Sequence, residues 1–150
     1  MKKIIIALSL LLAIGITMGA VCAEAGLIEF NNGELTIQGL KFTIPDGFQE
    51  NETTQMVGEE ANQTTFPGFS ISVDRFDKGN EFVVIKVVYG DKTLDNDTYT
   101  PSPDAESKQI GGHDGYFTQY QNGVSFDYLQ DGKLVEIVAS SEDILTSVLK

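Results

Sequence analysis

The chain has 150 residues, among them ten lysines and arginines and 22 aspartates and glutamates, so its net charge is −12 at pH 7. This charge argues against binding to nucleic acid or anionic lipid, since both are held mainly through basic side chains. A single cysteine and a single histidine argue against zinc and copper sites, and no cofactor is predicted.

The first 23 residues have the composition of a secretory signal peptide. Lys2 and Lys3 are followed by an uncharged, mainly apolar run over residues 4–22, with small residues near its end. This order of a positive start, an apolar stretch and small residues directs export. An uncleaved membrane anchor is the alternative, because the run approaches the roughly 20 residues that span a bilayer.

Cleavage is predicted after Ala23 or after Ala25, and residues 24–150 are then one exported domain. Cys22 is the only cysteine, so cleavage leaves a domain without a thiol or a disulfide. With eight basic and 22 acidic residues after Ala23, this domain has a net charge of −14. Its length suffices for one modest hydrophobic core.

Short alternating segments at the start of the domain predict β-strands. Residues 27–30, 35–37 and 40–44 each place apolar side chains on one face. Asn31-Asn32-Gly33 predicts a turn, because Asn and Gly tolerate positive φ. Gln38-Gly39 predicts either a bulge or a tight turn, since the apolar phase slips there.

A polar stretch separates these strands from two longer ones. Residues 49–65 predict mainly a loop, with room for one short helix. Residues 69–75 alternate between apolar and polar side chains and predict a half-buried strand. Residues 82–89 are apolar on both faces except at Lys86, which predicts a central strand with the Lys86 ammonium reaching water.

Regular hairpin signals follow a second polar stretch, residues 91–109. Strands are predicted over 116–120, 124–128 and 134–139, and glycine-containing turns separate them. Three consecutive strands joined in this way form an antiparallel meander.

A short helix is predicted to follow the meander and to pack on it. Ser140 and Asp143 fit a capping box. Four apolar side chains then share one face of the helix: Ile144, Leu145, Val148 and Leu149. The predicted fold class is therefore α+β, an antiparallel β-sheet meander with a C-terminal helix packed on it, after an N-terminal signal sequence.

Two segments resemble PsbP-like domains. Residues 42–48, FTIPDGF, are similar to the strand and Pro-x-Gly-aromatic opening of these domains. Residues 110–116, IGGHDGY, with the two hairpins and the helix that follow, are similar to their second half. Small secreted archaeal proteins of unknown function have a similar layout. The resemblance covers residues 40–150 and implies an antiparallel sheet with helices packed on it, in a non-enzymatic accessory or binding role.

His113 and Asp114 are the candidate acid–base pair for catalysis. No nucleophile motif accompanies them, and adjacent residues rarely point together. Glycines at 111, 112 and 115 predict a tight turn around the pair. A small extracytoplasmic hydrolase that uses His113 and Asp114 is therefore kept as an alternative to a binding role.

Asp95-Asn96-Asp97, with Asp91 and Asp104 nearby, offers oxygen ligands of the kind that calcium accepts. The spacing lacks the glycine and the final glutamate of an EF-hand, so a solvated loop is the simpler interpretation. A loop-based calcium-binding protein is a further alternative. The glutamates of the first polar stretch are interpreted as surface charge rather than a glycosidase pair: Glu50, Glu52, Glu59 and Glu60.

Three N-glycosylation sequons fall in the two polar stretches, where an oligosaccharide can be tolerated. They begin at Asn51, Asn62 and Asn96. Their use requires a host that couples glycosylation to export. We therefore hypothesise a glycoprotein in such a host.

The sequence favours a non-catalytic binding or accessory domain, secreted or otherwise extracytoplasmic. A nucleophile elbow, a metal cluster and a phosphate loop are missing from the sequence. Two polar loops on a sheet are the usual place for recognition, and tyrosines supply amphipathic contact area: Tyr89, Tyr99, Tyr116, Tyr120 and Tyr128. The predicted partner is another envelope protein or a glycan, and a basic partner is favoured electrostatically. Membrane attachment is expected only through an uncleaved N-terminal segment, with the domain facing outside.

Overall fold

The computed structural model describes residues 28–150. The predicted signal peptide, residues 1–23, and both predicted cleavage sites lie outside these described residues. Among residues 28–150, no helix has the length and apolar character needed to cross a membrane.

Antiparallel β-strands make up most of the regular structure in residues 28–150, together with one α-helix and one 3₁₀ turn at Glu52–Thr54. The elements are β1 Ile28–Asn31, β2 Glu34–Ile37, β3 Leu40–Thr43, β4 Gln49–Glu50, β5 Met56–Glu60, β6 Ser70–Lys78, β7 Glu81–Tyr89, β8 Glu106–Ile110, β9 His113–Tyr120, β10 Gly123–Gln130, β11 Lys133–Ala139 and α1 Glu142–Val148.

Eight strands form the larger sheet, in the order β4-β6-β7-β11-β10-β9-β8, with β5 paired to β6 as well. Strand β4 pairs with the end of β6 at Phe76 and Asp77, and β5 pairs with its beginning. Strands β8 to β11 are a meander of four hairpin-linked strands. The hairpin of β6 and β7 joins this meander where β7 pairs with β11.

The main core lies on one face of the larger sheet, which we call the core face. The smaller sheet, β1-β2-β3, and helix α1 both pack on this face. Each fully buried apolar side chain there contributes roughly 1.5–3 kcal/mol. The central ones are Phe76, Val83, Ile85, Phe126, Ile137 and Leu145. The α+β fold class with an antiparallel sheet and a C-terminal helix is confirmed, but the first three strands form a sheet of their own.

Tight turns connect the three strands of the smaller sheet. Asn32 and Gly33 have φ values of 51° and 79°, and Gln38 and Gly39 have values of 54° and 78°. Two successive residues with positive φ match the right-handed twist of a hairpin. Of the two predicted alternatives, a bulge or a tight turn, Gln38-Gly39 is therefore the tight turn. It reverses the chain directly into β3.

Three short edge strands, β4, β5 and β8, lie in the stretches that were predicted to be mainly polar loops. Strand β5 is exposed along its whole length, and β8 is exposed at three of its five residues. Such strands bury no continuous apolar face, so the alternation that identifies a strand in the sequence is missing. The 3₁₀ turn at Glu52–Thr54 is the short helical element in the first of these stretches.

The C-terminal helix is capped one residue later than predicted. Ser141, rather than Ser140, accepts a hydrogen bond from the Ile144 N–H. The Ser140 hydroxyl instead accepts from the Phe82 N–H at 3.1 Å, which ties the end of β11 to the start of β7. The apolar face is as predicted, since Ile144, Leu145 and Val148 are buried against the core face.

Strand β7 lies in the interior of the larger sheet, as predicted, but its two faces are covered unequally. Val83, Ile85 and Val87 are completely buried on the core face. On the opposite face, which we call the outer face, Val84 and Lys86 are only half-buried. The outer face is therefore partly open, and loops rather than a second layer of strands cover it.

Candidate ligand-binding cleft beside Tyr99

The strand order explains why a loop covers part of the outer face. Strand β7 pairs with β11, whereas the next strand in sequence, β8, lies at the far side of the meander. Residues 91–105, which we call the crossover, therefore pass over the sheet to reach β8. The Leu94 N–H donates to the Gly132 carbonyl at 2.8 Å, and Leu94 packs with Tyr99, Val88 and Leu134 in a second small core.

Tyr99 fixes the middle of the crossover to the sheet. Its hydroxyl donates to Oδ2 of Asp127 on β10 at 2.6 Å. Its ring lies 6.0 Å from the ring of Tyr116 on β9, at an interplanar angle of 54°. Burial, and then the neighbouring Asp127 carboxyl, raise the pKa of Tyr99, so the phenol stays a neutral donor.

Asp127 belongs to a row of charged side chains that crosses the outer face. Glu136 lies directly opposite Asp127 on β11, and Lys86 lies opposite Glu136 on β7 and forms an ion pair with it. Burial, opposed by the hydrogen bond from Tyr99, raises the pKa of Asp127 to about 6. The Lys86 side chain, predicted to reach water, is about one-third exposed, so the pair is half-buried.

The first cleft lies on one side of Tyr99, between the crossover and strands β8 and β9. Its volume is about 560 Å³. Its lining includes Tyr99 and Tyr116 together with several polar residues: Asn96, Ser107, Gln109 and Asp114. This size falls within the roughly 300–1,000 Å³ of small-molecule sites.

A second, smaller cleft of about 320 Å³ lies on the other side of Tyr99. Hydroxyl groups from both polar loops line it, namely those of Thr65, Thr98, Thr100 and Ser102. The carboxyl groups of Asp127 and Glu136 also face this cleft, although each already has a partner in Tyr99 or Lys86. Tyr99 is the wall that the two clefts share.

His113 and Asp114 do not come together in the structure. They begin strand β9, where successive side chains point to opposite faces, and the tight turn before them consists of Gly111 and Gly112. The His113 ring packs against Tyr128, 4.3 Å between centroids, and Tyr128 belongs to the main core. Asp114 instead lines the first cleft and accepts a hydrogen bond from the Gln109 amide at 3.0 Å.

The acidic stretch around Asp95 forms a turn. Oδ1 of Asp95 accepts hydrogen bonds from the N–H groups of Asp97 and Thr98, both at 3.0 Å. Among residues 28–150, no three aspartate, glutamate, histidine or cysteine side chains converge on a position that could hold a metal ion. The arrangement is the local turn that aspartate favours in loops.

The three sequon asparagines differ in their surroundings. The Asn51 amide nitrogen donates to Asp77 Oδ2 at 3.0 Å, and Asn51 is half-buried. Asn62 is exposed, and its side-chain oxygen accepts from the Thr64 N–H at 2.9 Å. Asn96 is also exposed, and it lines the first cleft. Modification at Asn96 would therefore place a glycan at the cleft.

One of the glutamates interpreted as surface charge has a buried carboxyl as its neighbour. Asp74 on β6 is completely buried, and burial, followed by the neighbouring Glu50, raises its pKa to about 7. Oδ1 of Asp74 accepts from the Arg75 N–H at 2.9 Å, while Oδ2 has no donor among residues 28–150. A proton on Asp74 would let it donate to Glu50. The other glutamates of this stretch, Glu52, Glu59 and Glu60, are exposed.

Sequence reasoning did not single out Asp127, Glu136 or Gln109. Asp127 and Glu136 alternate with apolar neighbours and resemble the solvated face of a hairpin, whereas Gln109 lies in a stretch that was predicted to be a polar loop. Only the path of the crossover, which depends on the strand order, turns this face into a site. No protein-family model, no curated protein and no solved structure matches this chain.

Proposed function

We propose that this protein is an exported, non-catalytic binding module that takes its ligand in the first cleft, beside Tyr99 and Tyr116. Export is supported by the pattern of residues 1–23 and by an acidic domain without cysteine. Binding is supported above all by one observation: Tyr99 of the crossover and Tyr116 of β9 stand side by side at an open, polar cleft.

The cleft walls are fixed before a ligand arrives. Tyr99 is held by Asp127, and Gln109 is held by Asp114 on the neighbouring strand. Ordering side chains and loops on binding costs affinity, so walls that are already ordered favour binding. Aromatic residues at fixed positions beside amides are a common composition for recognition.

The proposed location is extracytoplasmic, either secreted or attached through an uncleaved N-terminal segment. The proposed partner is another envelope protein or a glycan. The net charge of −12 favours a neutral or basic partner over an acidic one.

Hydrolysis is a second candidate, and a carboxyl pair other than the one predicted favours it. Asp127 and Glu136 lie opposite each other and line the second cleft, and the pKa of Asp127 is raised to about 6. A carboxylic acid with a raised pKa beside an ionised carboxylate can act as a general acid. Binding is favoured over hydrolysis because the Tyr99 bond and the Lys86 ion pair give both carboxyls a structural role.

A variant that fills the first cleft tests the proposed function without knowledge of the ligand. Ser107 is exposed and lines the cleft, so Ser107→Trp should block it. Gln121→Trp, in the exposed turn between β9 and β10, is the matched control. Wild type and both variants are used to capture proteins and glycans from host envelope extract, at low and at high salt.

A partner retained by wild type and by Gln121→Trp but lost by Ser107→Trp would support binding in the first cleft. Equal retention by all three proteins would contradict it. Turnover of a glycoside that disappears with both Asp127→Asn and Glu136→Gln, in folded variants, would replace the proposal with the second candidate. The intact mass of the protein from its native cell tests export, and a retained Met1 in the membrane fraction would favour the anchor.

A further inference from the structure

We propose that the ligand of the first cleft is a short, neutral saccharide. This inference rests on the proposed function and adds the chemical class of the ligand. It depends on three properties of the cleft, which are its aromatic walls, its paired hydrogen-bonding groups and its low charge.

The aromatic walls suit the apolar side of a sugar ring. The ring centroids of Tyr99 and Tyr116 are 6.0 Å apart, and the two ring planes are inclined by 54°. Together the rings therefore form a corner rather than a slot closed on both sides. Tyrosine presents an apolar ring with a polar tip. A sugar has the same division, with C–H groups on its ring faces and hydroxyls at its edge.

The polar groups of the cleft can both donate and accept, as sugar hydroxyls require. The side chain of Asn96 makes no hydrogen bond to any other described residue, so both its donor and its acceptor are free. The Gln109 amide nitrogen donates to Asp114 Oδ1, which leaves Gln109 Oε1 and Asp114 Oδ2 as acceptors. The exposed Ser107 adds a hydroxyl between these groups and Tyr116, its partner on β9.

The charge at the cleft favours a neutral ligand over a cationic one. Although the whole chain is strongly acidic, the charged residues that line the first cleft within residues 28–150 are one lysine, Lys108, and one aspartate, Asp114. The Lys108 ammonium forms an ion pair with Glu142 of α1, so the cleft itself presents a single carboxylate, Asp114, which already accepts a hydrogen bond from Gln109. An acidic saccharide would be repelled by the chain as a whole, and a polyamine would find only one carboxylate.

Nuclear magnetic resonance titration with defined probes tests the proposal. The neutral probes are cellotriose, maltotriose and chitotriose; spermidine is the cationic probe and trigalacturonate the acidic one. The protein is the chain as recovered from its host, with Asn96 shown by mass to be unmodified. We expect saturable shifts of the Asn96 and Gln109 side-chain amides with at least one neutral probe.

Variants assign the shifts to the cleft. Gln109→Ala, at an exposed position, should keep the fold and weaken binding about tenfold, since a lost hydrogen bond contributes about 1 kcal/mol or more. Tyr116→Ala should abolish saturation, whereas Tyr120→Ala, which removes an exposed tyrosine outside the cleft, should leave affinity unchanged.

Binding of spermidine alone, or failure of all three neutral probes at millimolar concentration, would overturn the saccharide assignment. So would neutral-probe binding that neither Gln109→Ala nor Tyr116→Ala changes. If the neutral probes fail while an envelope partner is still lost with Ser107→Trp, the saccharide is wrong and the binding module stands. If both experiments fail, the proposed function is wrong as well.

Discussion

The hydroxyl of Tyr99 reaches Oδ2 of Asp127 at 2.6 Å, and through this bond the crossover is joined to strand β10. The two residues are 28 positions apart in the chain. One is a buried phenol that stays neutral, and the other is a half-buried carboxyl whose pKa is raised to about 6. The bond stabilises the wall that divides the two clefts, so the stability of the domain and the proposed ligand binding depend on the same contact.

Tyr99→Phe should destabilise the protein by about 1–3 kcal/mol, because it leaves the enclosed Asp127 carboxyl without its donor. The pKa of Asp127 should rise further, since the Tyr99 bond lowers it. Chemical denaturation and carboxyl titration by magnetic resonance measure the two effects. Tyr120→Phe, which removes a hydroxyl that is 3.3 Å from Ser125 Oγ on an exposed ring, should change stability by about 0.5 kcal/mol or less. Equal effects of the two variants would contradict the role of Tyr99.

Neighbouring residues of β7 should respond in opposite ways to the same substitution. Ile85→Asp places a charge in the main core and should unfold the domain, at a cost above about 3 kcal/mol. Val84→Asp should stay folded. If β7 were covered equally on both faces, this substitution would be expected to unfold the domain. Val84 is half-buried on the outer face and lies opposite Arg75, whose charge is complementary to aspartate. Thermal melting of both variants is the test, and loss of fold in Val84→Asp alone would contradict the assignment of the two faces.

Stability should fall as pH rises from about 4 to about 7, because Asp74 binds a proton more tightly in the folded chain than in the unfolded one. Its pKa is raised from 3.8 to about 7, so its contribution is fully present below the unfolded value and is lost as pH rises through the folded value. The slope from this one group is at most about 1.4 kcal/mol per pH unit. Asp127, with its pKa raised to about 6, acts in the same direction.

Asp74→Asn should flatten this pH dependence, since an amide can donate to Glu50 at every pH. Asp77→Asn is the control with the opposite sign, because hydrogen bonds from Arg75 and Asn51 lower the pKa of Asp77. Asp77 therefore contributes stability that is lost on acidification. Denaturation at several pH values gives the slopes, and an unchanged slope in Asp74→Asn would show that Asp74 is not the titrating group.

Glycan occupancy in a glycosylating host should be higher at Asn62 than at Asn51. The Asn62 amide nitrogen is on an exposed turn, whereas the Asn51 amide nitrogen donates to Asp77 at 3.0 Å. At Asn96 a glycan would stand in the first cleft, so modification and ligand binding at that position should exclude each other. Glycopeptide mass spectrometry measures the three occupancies. Asn51 modified more fully than Asn62 would contradict the first expectation, and three unmodified asparagines would exclude glycosylation altogether.

The strands that could be predicted from the sequence are those with one buried face. The alternation of Val124, Phe126 and Tyr128 is visible in the sequence because all three side chains enter the main core. Strand β5 has no such pattern, since its residues are exposed and are held to β6 by backbone pairing and by a hydrogen bond from the Gly58 N–H to Ser72 Oγ. The cleft is even harder to predict from the sequence than strand β5. It depends on the return of β11 to β7, a long-range pairing that leaves no local signal.

The same strand order imposes a sequence of events on folding. Strands β9, β10 and β11 each pair with the strand before them through a short turn, whereas β7 pairs with β11, which begins 44 positions after Tyr89. Closing long loops is slow because its entropic cost precedes the contacts that repay it. We therefore expect the meander to form in the folding transition state and the β7–β11 seam to close afterwards. Substitutions at Phe126 should slow folding, and substitutions at Val83 should mainly speed unfolding. The crossover then reaches its final position last, and the proposed ligand site forms only in a molecule whose whole sheet is complete.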